Sequence, residues 1–122
     1  ISSLKIWGQA LSHLQHDPQK GLIWTAISRD ELTRSQAGPS DLDDLIDELI
    51  LNSPEAKKIL VLYEDPRSSI QKVKGILVSE KKEDPKKILY QYAPTGHNGR
   101  AYFEIENKSL ISAEQEILKA IE

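Results

Sequence analysis

Two stretches, Leu22-Ile23-Trp24-Thr25-Ala26-Ile27 and Lys58-Ile59-Leu60-Val61-Leu62-Tyr63, are apolar almost without interruption. Each has strand length and β-branched members. A strand with one wet face alternates; a strand covered on both faces does not. These runs therefore read as strands in the interior of a sheet that has helices packed against it. Most of the remaining chain has to supply those helices.

The other elements follow from period and punctuation. Leu4, Trp7, Leu11 and Leu14 fall at helical spacing and predict an amphipathic helix from about Ser3 to Gln15. Asp17-Pro18-Gln19-Lys20-Gly21 reads as a turn. Ser28-Arg29-Asp30-Glu31 is a capping box that starts a short helix, which should stop by Gly38-Pro39. Ser40-Asp41-Leu42-Asp43 reads as a second cap, and the stripe Leu42, Leu45, Ile46, Leu49 and Ile50 gives the next helix its core face. Lys72 to Ser79 predicts a strand pairing with the 58–63 run as an antiparallel hairpin, with Gly75 marking a candidate bulge. Asp84-Pro85 starts a helix to Tyr92 with Ile88, Leu89 and Tyr92 inward. Ala101, Phe103 and Ile105 alternate with Tyr102, Glu104 and Glu106, as in a strand with one wet face. Ser112 with Gln115 caps a last helix whose core positions are Ile117, Leu118 and Ile121. The expected fold is an α/β domain, with α+β as the alternative: a mixed sheet of about four strands with flanking helices. At 122 residues it is a single domain.

Several kinds of chemistry are absent. There is no cysteine, so disulfides, zinc-thiolate sites and cysteine nucleophiles are excluded, and a cytoplasmic location is expected. A formal net charge of −3 argues against a general duplex-DNA or membrane-surface binder, yet allows a local basic pocket. His13 and His16 make a two-ligand pair without a third. Asp41, Asp43, Asp44, Asp47 and Glu48 read as the solvated face of a helix rather than a metal site. No phosphate loop, dinucleotide fingerprint or Gly-x-Ser-x-Gly turn occurs. The chain contains no methionine and starts at Ile1, which we read as the carboxyl-terminal part of something larger.

One segment crowds small residues and anion-binding groups together: Pro94-Thr95-Gly96-His97-Asn98-Gly99-Arg100. Gly96 and Gly99 can take positive φ and let a ligand approach the backbone. Successive loop amides can form an anion-binding concavity. His97 can donate to a phosphate oxygen, Asn98 lies in the same turn, and Arg100 offers a bidentate fork. Lys108 and the amides near Ser112 are candidates to extend the site, and Tyr92 or Tyr102 to stack on a base. The bland alternative is a turn before a strand.

Three stretches give the chain a family likeness: Leu4-Lys5-Ile6-Trp7-Gly8-Gln9-Ala10-Leu11, Gly21 to Leu32, and Gly96-His97-Asn98-Gly99-Arg100-Ala101. Together they resemble the carboxyl-terminal substrate-binding domain of DHH phosphoesterases. That family includes RecJ-type exonucleases, oligoribonucleases and nucleotide phosphatases, and cyclic-dinucleotide phosphodiesterases. The resemblance implies that residues 1–16 connect to an amino-terminal catalytic domain and that residues 17–122 bind substrate. It also implies that manganese is held by that other domain, with no cofactor in this chain. Gly96 and His97 would take the place of the family's glycine-histidine loop, which grips a phosphate or a terminal nucleotide. Pro94 and Thr95 stand where that loop has two further glycines. Ile76-Leu77-Val78-Ser79 stands where the family often has Ser-Leu-Arg-Ser, so Val78 replaces an arginine that faces substrate. The implied function is to position a nucleotide or single-stranded oligonucleotide phosphate for hydrolysis by the catalytic domain of the same chain. A non-catalytic nucleic-acid-binding or protein-interaction module is the alternative.

Overall fold

The computed structural model describes residues 2–96 and 99–121. The elements run α1 (Ser2–Ser12), β1 (Gln15–Asp17), β2 (Leu22–Ile27), α2 (Arg29–Ser35), α3 (Pro39–Asn52), β3 (Lys58–Glu64) and β4 (Lys72–Ser79). They continue with α4 (Pro85–Ile88), a 3-10 turn (Tyr90–Tyr92), β5 (Arg100–Glu106) and α5 (Leu110–Ala120). The strands form one sheet in the order β1-β2-β3-β4-β5. Only β2 and β3 are parallel, joined through α2 and α3; every other neighbouring pair is antiparallel. The α/β expectation with a mixed sheet therefore holds.

The sheet separates two apolar clusters. On one side Leu22, Leu60, Leu62, Leu77, Ala101 and Phe103 meet Leu89 and the α5 residues Ala113 and Ile117. On the other, Ile27, Ile59, Val61 and Ile76 meet Ile6 and Ala10 of α1, Leu32 of α2, and Leu42, Leu45, Ile46 and Leu49 of α3. Alternate residues of β3 thus enter opposite clusters, which is why its sequence shows no alternation. Leu60 and Leu62 are wholly buried, and burial of such side chains stabilises by about 1.5–3 kcal/mol each. Thr25, the polar residue within the β2 run, is also buried. Its hydroxyl donates to the Ala10 carbonyl at 2.9 Å, so the group is satisfied and α1 is tied to the sheet.

Several local expectations are corrected. A fifth strand, β1, occupies Gln15–Asp17, where we expected the helix tail and the start of a turn. Helix α1 ends at Ser12, and the chain reverses at Gly21 (φ +63) to bring Gln15 opposite Trp24. Its buried line is Ile6 and Ala10; Leu4 and Leu11 of the expected stripe are 66% and 57% exposed. Helix α3 is capped by Gly38 rather than Ser40. Pro39 occupies the first turn, and the Asp41 carboxylate accepts from the Gly38 amide at 2.8 Å. Helix α5 is capped by Ser109, whose hydroxyl accepts from the Ser112 amide, so Ser112 is not the cap. The predicted 85–92 helix splits into a short α-helix and a 3-10 turn, although Leu89 is buried as expected.

Gly75 makes no bulge. It stays in register between Leu62 and Phe103. A Cβ at Gly75 would lie 2.3 Å from the Phe103 ring and 2.9 Å from Leu62, so the glycine makes room for the aromatic ring.

Candidate functional site

Thr95 and Tyr102 form an antiparallel bridge that closes off the segment singled out in the sequence, at the outer edge of the sheet. The Thr95 amide donates to the Tyr102 carbonyl at 2.9 Å, and the Tyr102 amide donates back to Thr95 at 2.7 Å. These bonds close the loop on the outer side of β5. Ala93 enters with φ +49, Gly96 has φ +128 and Gly99 has φ +76. The two glycines differ in what they permit. A Cβ on Gly96 would lie 2.3 Å from the Arg100 carbonyl oxygen, so the hairpin itself requires glycine there. At Gly99 nothing lies within 4 Å of where a Cβ would be. His97 and Asn98 lie outside the described residues.

Arg100 opens β5, directly across from Val78 of β4. Its guanidinium reaches over to α3, where it hydrogen-bonds the Asp47 carboxylate and lies 3.7 Å from Asp43 Oδ1. The Tyr102 hydroxyl, two residues along the same face, donates to Asp43 Oδ1 at 2.9 Å. Two carboxylates read from the sequence as solvated thus hold the start of β5. Their spacing of four residues puts both on one side of α3, as the spacing of two puts Arg100 and Tyr102 on one side of β5. That matched pair of spacings was the missed signal. Burial, the largest single influence, opposes the charge on Arg100, but its hydrogen bonds and charge attraction to Asp47 and Tyr102 together outweigh burial and raise the guanidinium's pKa further. Burial first, then the bond to Asp43, raises the Tyr102 phenol.

Beside the loop is a hollow of about 800 Å³, within the size range of ligand sites. Gly99 stands on one wall; the end of β4, the 80–84 turn and α4 form the rest. Lys81, Lys82 and Lys87 line it together with Glu80, Glu83 and Asp84. Two of these acids are already engaged: Glu83 pairs with the buried Lys58 at 3.3 Å, and Asp84 accepts from the Lys86 amide at 3.0 Å. A second hollow of about 500 Å³ is lined by Lys74, Tyr92, Thr95 and Tyr102, so both tyrosines considered for stacking border one space.

The proposed extensions lie elsewhere. Lys108 pairs with Glu116, which also accepts from the Tyr92 hydroxyl at 2.8 Å. Hydrogen bonds from Lys108 and then Tyr92 hold the Glu116 carboxyl below its ordinary value. Lys108 and Ser112 line a hollow of about 530 Å³ with Tyr92, none of whose lining residues belongs to the 95–102 hairpin.

The histidine pair does not gather as a metal site. His13 Nε2 lies 2.7 Å from Glu31, while His16 sits on β1. Burial would raise the Glu31 carboxyl, but bonds from the Ser28 amide, His13 and the Ser28 hydroxyl together lower it. Among the described residues there is no group of three or more His, Asp or Glu able to hold a metal. No helix among them is long and apolar enough to cross a membrane.

Neither a protein-family model nor a curated protein matches the sequence. Solved structures do match the fold. The crystal structure of an exopolyphosphatase-related protein from Bacteroides fragilis superposes with a TM-score of 0.82 at 16% identity, over 98% of this chain and 34% of that one. A pGpG-specific phosphodiesterase, PggH, from Vibrio cholerae superposes with a TM-score of 0.61 at 8% identity, over 98% of this chain and 38% of that one. The chain thus spans little more than a third of the length of either protein. Its fold is that of one part of an exopolyphosphatase-related chain and of one part of a phosphodiesterase, in agreement with the family likeness read from the sequence.

Proposed function

We propose that the chain is the substrate-binding portion of a metal-dependent phosphoesterase. Its part is positioning: the hairpin loop receives a nucleotide or short oligonucleotide phosphate and presents it to metals held by a separate catalytic domain. Manganese bound there would polarise the phosphate and supply the attacking hydroxide. This chain's residues orient, and holding a substrate in an attack geometry can account for a large share of a rate enhancement. Gly96 sets the loop's tight entry and Gly99 leaves backbone open to a phosphate, with His97 and Asn98 between them as donors. The observation that carries this reading is Gly99, which has positive φ, open space where a side chain would be, and a place on the wall of a ligand-sized hollow. Full-length superposition on about a third of two phosphorus-ester-related chains is in keeping with it. So is Arg100, which stands across the ladder from the position where the family carries its strand arginine.

The engagement of Arg100 with Asp43 and Asp47 favours a second reading. Here Arg100 is a tether, the loop is a turn, and the chain is a non-catalytic binding or interaction module. A titration separates the two. Adenosine monophosphate, adenosine bisphosphate and cyclic dinucleotides are added while backbone amide shifts are followed. The first reading expects shifts centred on Gly96 to Ala101. In the longer protein, His97→Ala should raise KM or lower turnover with metal content unchanged. No shift in the loop with any of these ligands, together with an unaltered rate, favours the module.

A further inference from the structure

The lysines of the 800 Å³ hollow have no task in the fold. Lys81, Lys82 and Lys87 are exposed, and none of their side chains makes a hydrogen bond or ion pair among the described residues. Lys58 from β3, Lys72 and Lys74 from β4, and Lys108 all have carboxylate partners. Of the acids around the hollow, Glu83 is shared with Lys58, and Asp84 is taken up in capping α4. Glu80 and the capping Asp84, whose charge a neutral amide donor does not cancel, leave one of the three cations without an opposite charge. In a chain of net charge −3, this is a local surplus of positive charge on the wall facing Gly99. Like charges on neighbouring side chains repel, so their gathering is a cost that a polyanion would relieve.

We propose that this hollow is a second phosphate subsite, continuous with the loop, for a ligand carrying several phosphates in a chain. The proposal rests on the positioning role argued for the loop and extends it: the loop takes one phosphate, and the lysines read how many follow. A mononucleotide reaches the loop alone, whereas a linear chain of phosphates reaches both. The ammonium groups act as point charges without a fixed fork, which suits a backbone of varying conformation. Chain length, rather than base identity, is therefore what this wall selects. The same chemistry is met by an oligonucleotide or by inorganic polyphosphate.

The test uses the 122-residue chain, the variant Lys81→Gln/Lys82→Gln/Lys87→Gln, and three probes: adenosine monophosphate, a 5′-phosphorylated pentaadenylate and tripolyphosphate. Circular dichroism melting confirms that the variant keeps its fold. The expected result is that pentaadenylate binds the natural chain at least about tenfold more tightly than the mononucleotide, and that the variant loses that advantage. Loss of three phosphate contacts should also flatten the dependence of log affinity on log salt by about 2. Mononucleotide affinity should be unchanged. Tripolyphosphate binding that depends on the lysines identifies phosphate charge alone as the ligand feature; binding by pentaadenylate only adds the nucleoside to it. Equal pentaadenylate affinity in the two proteins overturns the subsite while leaving the loop reading intact. Lysine-dependent binding without amide shifts at Gly96 and Gly99 would sink the loop reading and keep the subsite. Absence of binding by every probe overturns both.

Discussion

In β3 the side chains of Ile59, Leu60, Val61 and Leu62 are all buried, whereas in β5 the exposed Glu104 and Glu106 alternate with the buried Phe103 and Ile105. The difference runs through the whole sheet. The parallel β2–β3 centre is covered on both faces and is held by non-directional apolar burial. The β4–β5 end has a polar face laced by Lys72 with Glu104, Lys74 with Asp65, and Arg100 with Asp43 and Asp47. It is shaped by Gly75 beneath Phe103 and by the closed Gly96. Burial energy at the centre has no cheap substitute. Ion pairs at a wet surface are worth little and can be exchanged for other charges. The half of the sheet that carries the candidate site is thus the half whose interactions a charged ligand can replace.

The contrast can be broken most forcefully at Leu60. Leu60→Ala should cost about 3 kcal/mol and lower the midpoint of chemical denaturation without changing its slope. A loss under about 1 kcal/mol would mean that the centre is not the fold's anchor. Next comes the pair of loop glycines. Gly96→Ala forces a Cβ into the Arg100 carbonyl at unfavourable φ and should cost about 2 kcal/mol. Gly99→Ala meets nothing and should cost only about 1 kcal/mol for its left-handed φ. Equal losses would erase the distinction between a glycine needed by the hairpin and one left open to a ligand. Smallest is Arg100→Leu, expected to cost about 1 kcal/mol or less in thermal melts, with the deficit shrinking as salt is added. A deficit independent of salt would show that packing of the arginine stem, and not its charge, ties β5 to α3.

Legibility in the sequence divides along the same line. The centre was readable because burial on two faces leaves a composition that survives without neighbours in view: residues 22–27 match β2, and β3 gains only Glu64. Of the expected α3 stripe, Leu42, Leu45, Ile46 and Leu49 are buried as the period required, whereas Ile50 at its end is exposed. Helix α1 was misphased because Leu4 and Leu11 outrank Ala10 by hydrophobicity, yet Ala10 is the buried residue, its carbonyl accepting from the Thr25 hydroxyl. Strand β1 escaped notice because Gln15, His16 and Asp17 have no strand composition; they are extended only because β2 offers an edge to pair with. At the site, the hairpin and its positive-φ glycines were legible from local chemistry. The link from Arg100 and Tyr102 to Asp43 and Asp47 was not, since it joins residues more than fifty positions apart.

The strand order also bears on how such a chain behaves at high concentration. The two segments richest in β-branched and aliphatic residues, β2 and β3, are interior strands with a neighbour on each side. The rims are left to a polar strand of three residues and to an alternating strand studded with glutamates and partly fenced by Thr95. A sheet arranged this way keeps its most aggregation-prone sequences out of reach of other molecules, and offers to its surroundings only edges that stack poorly.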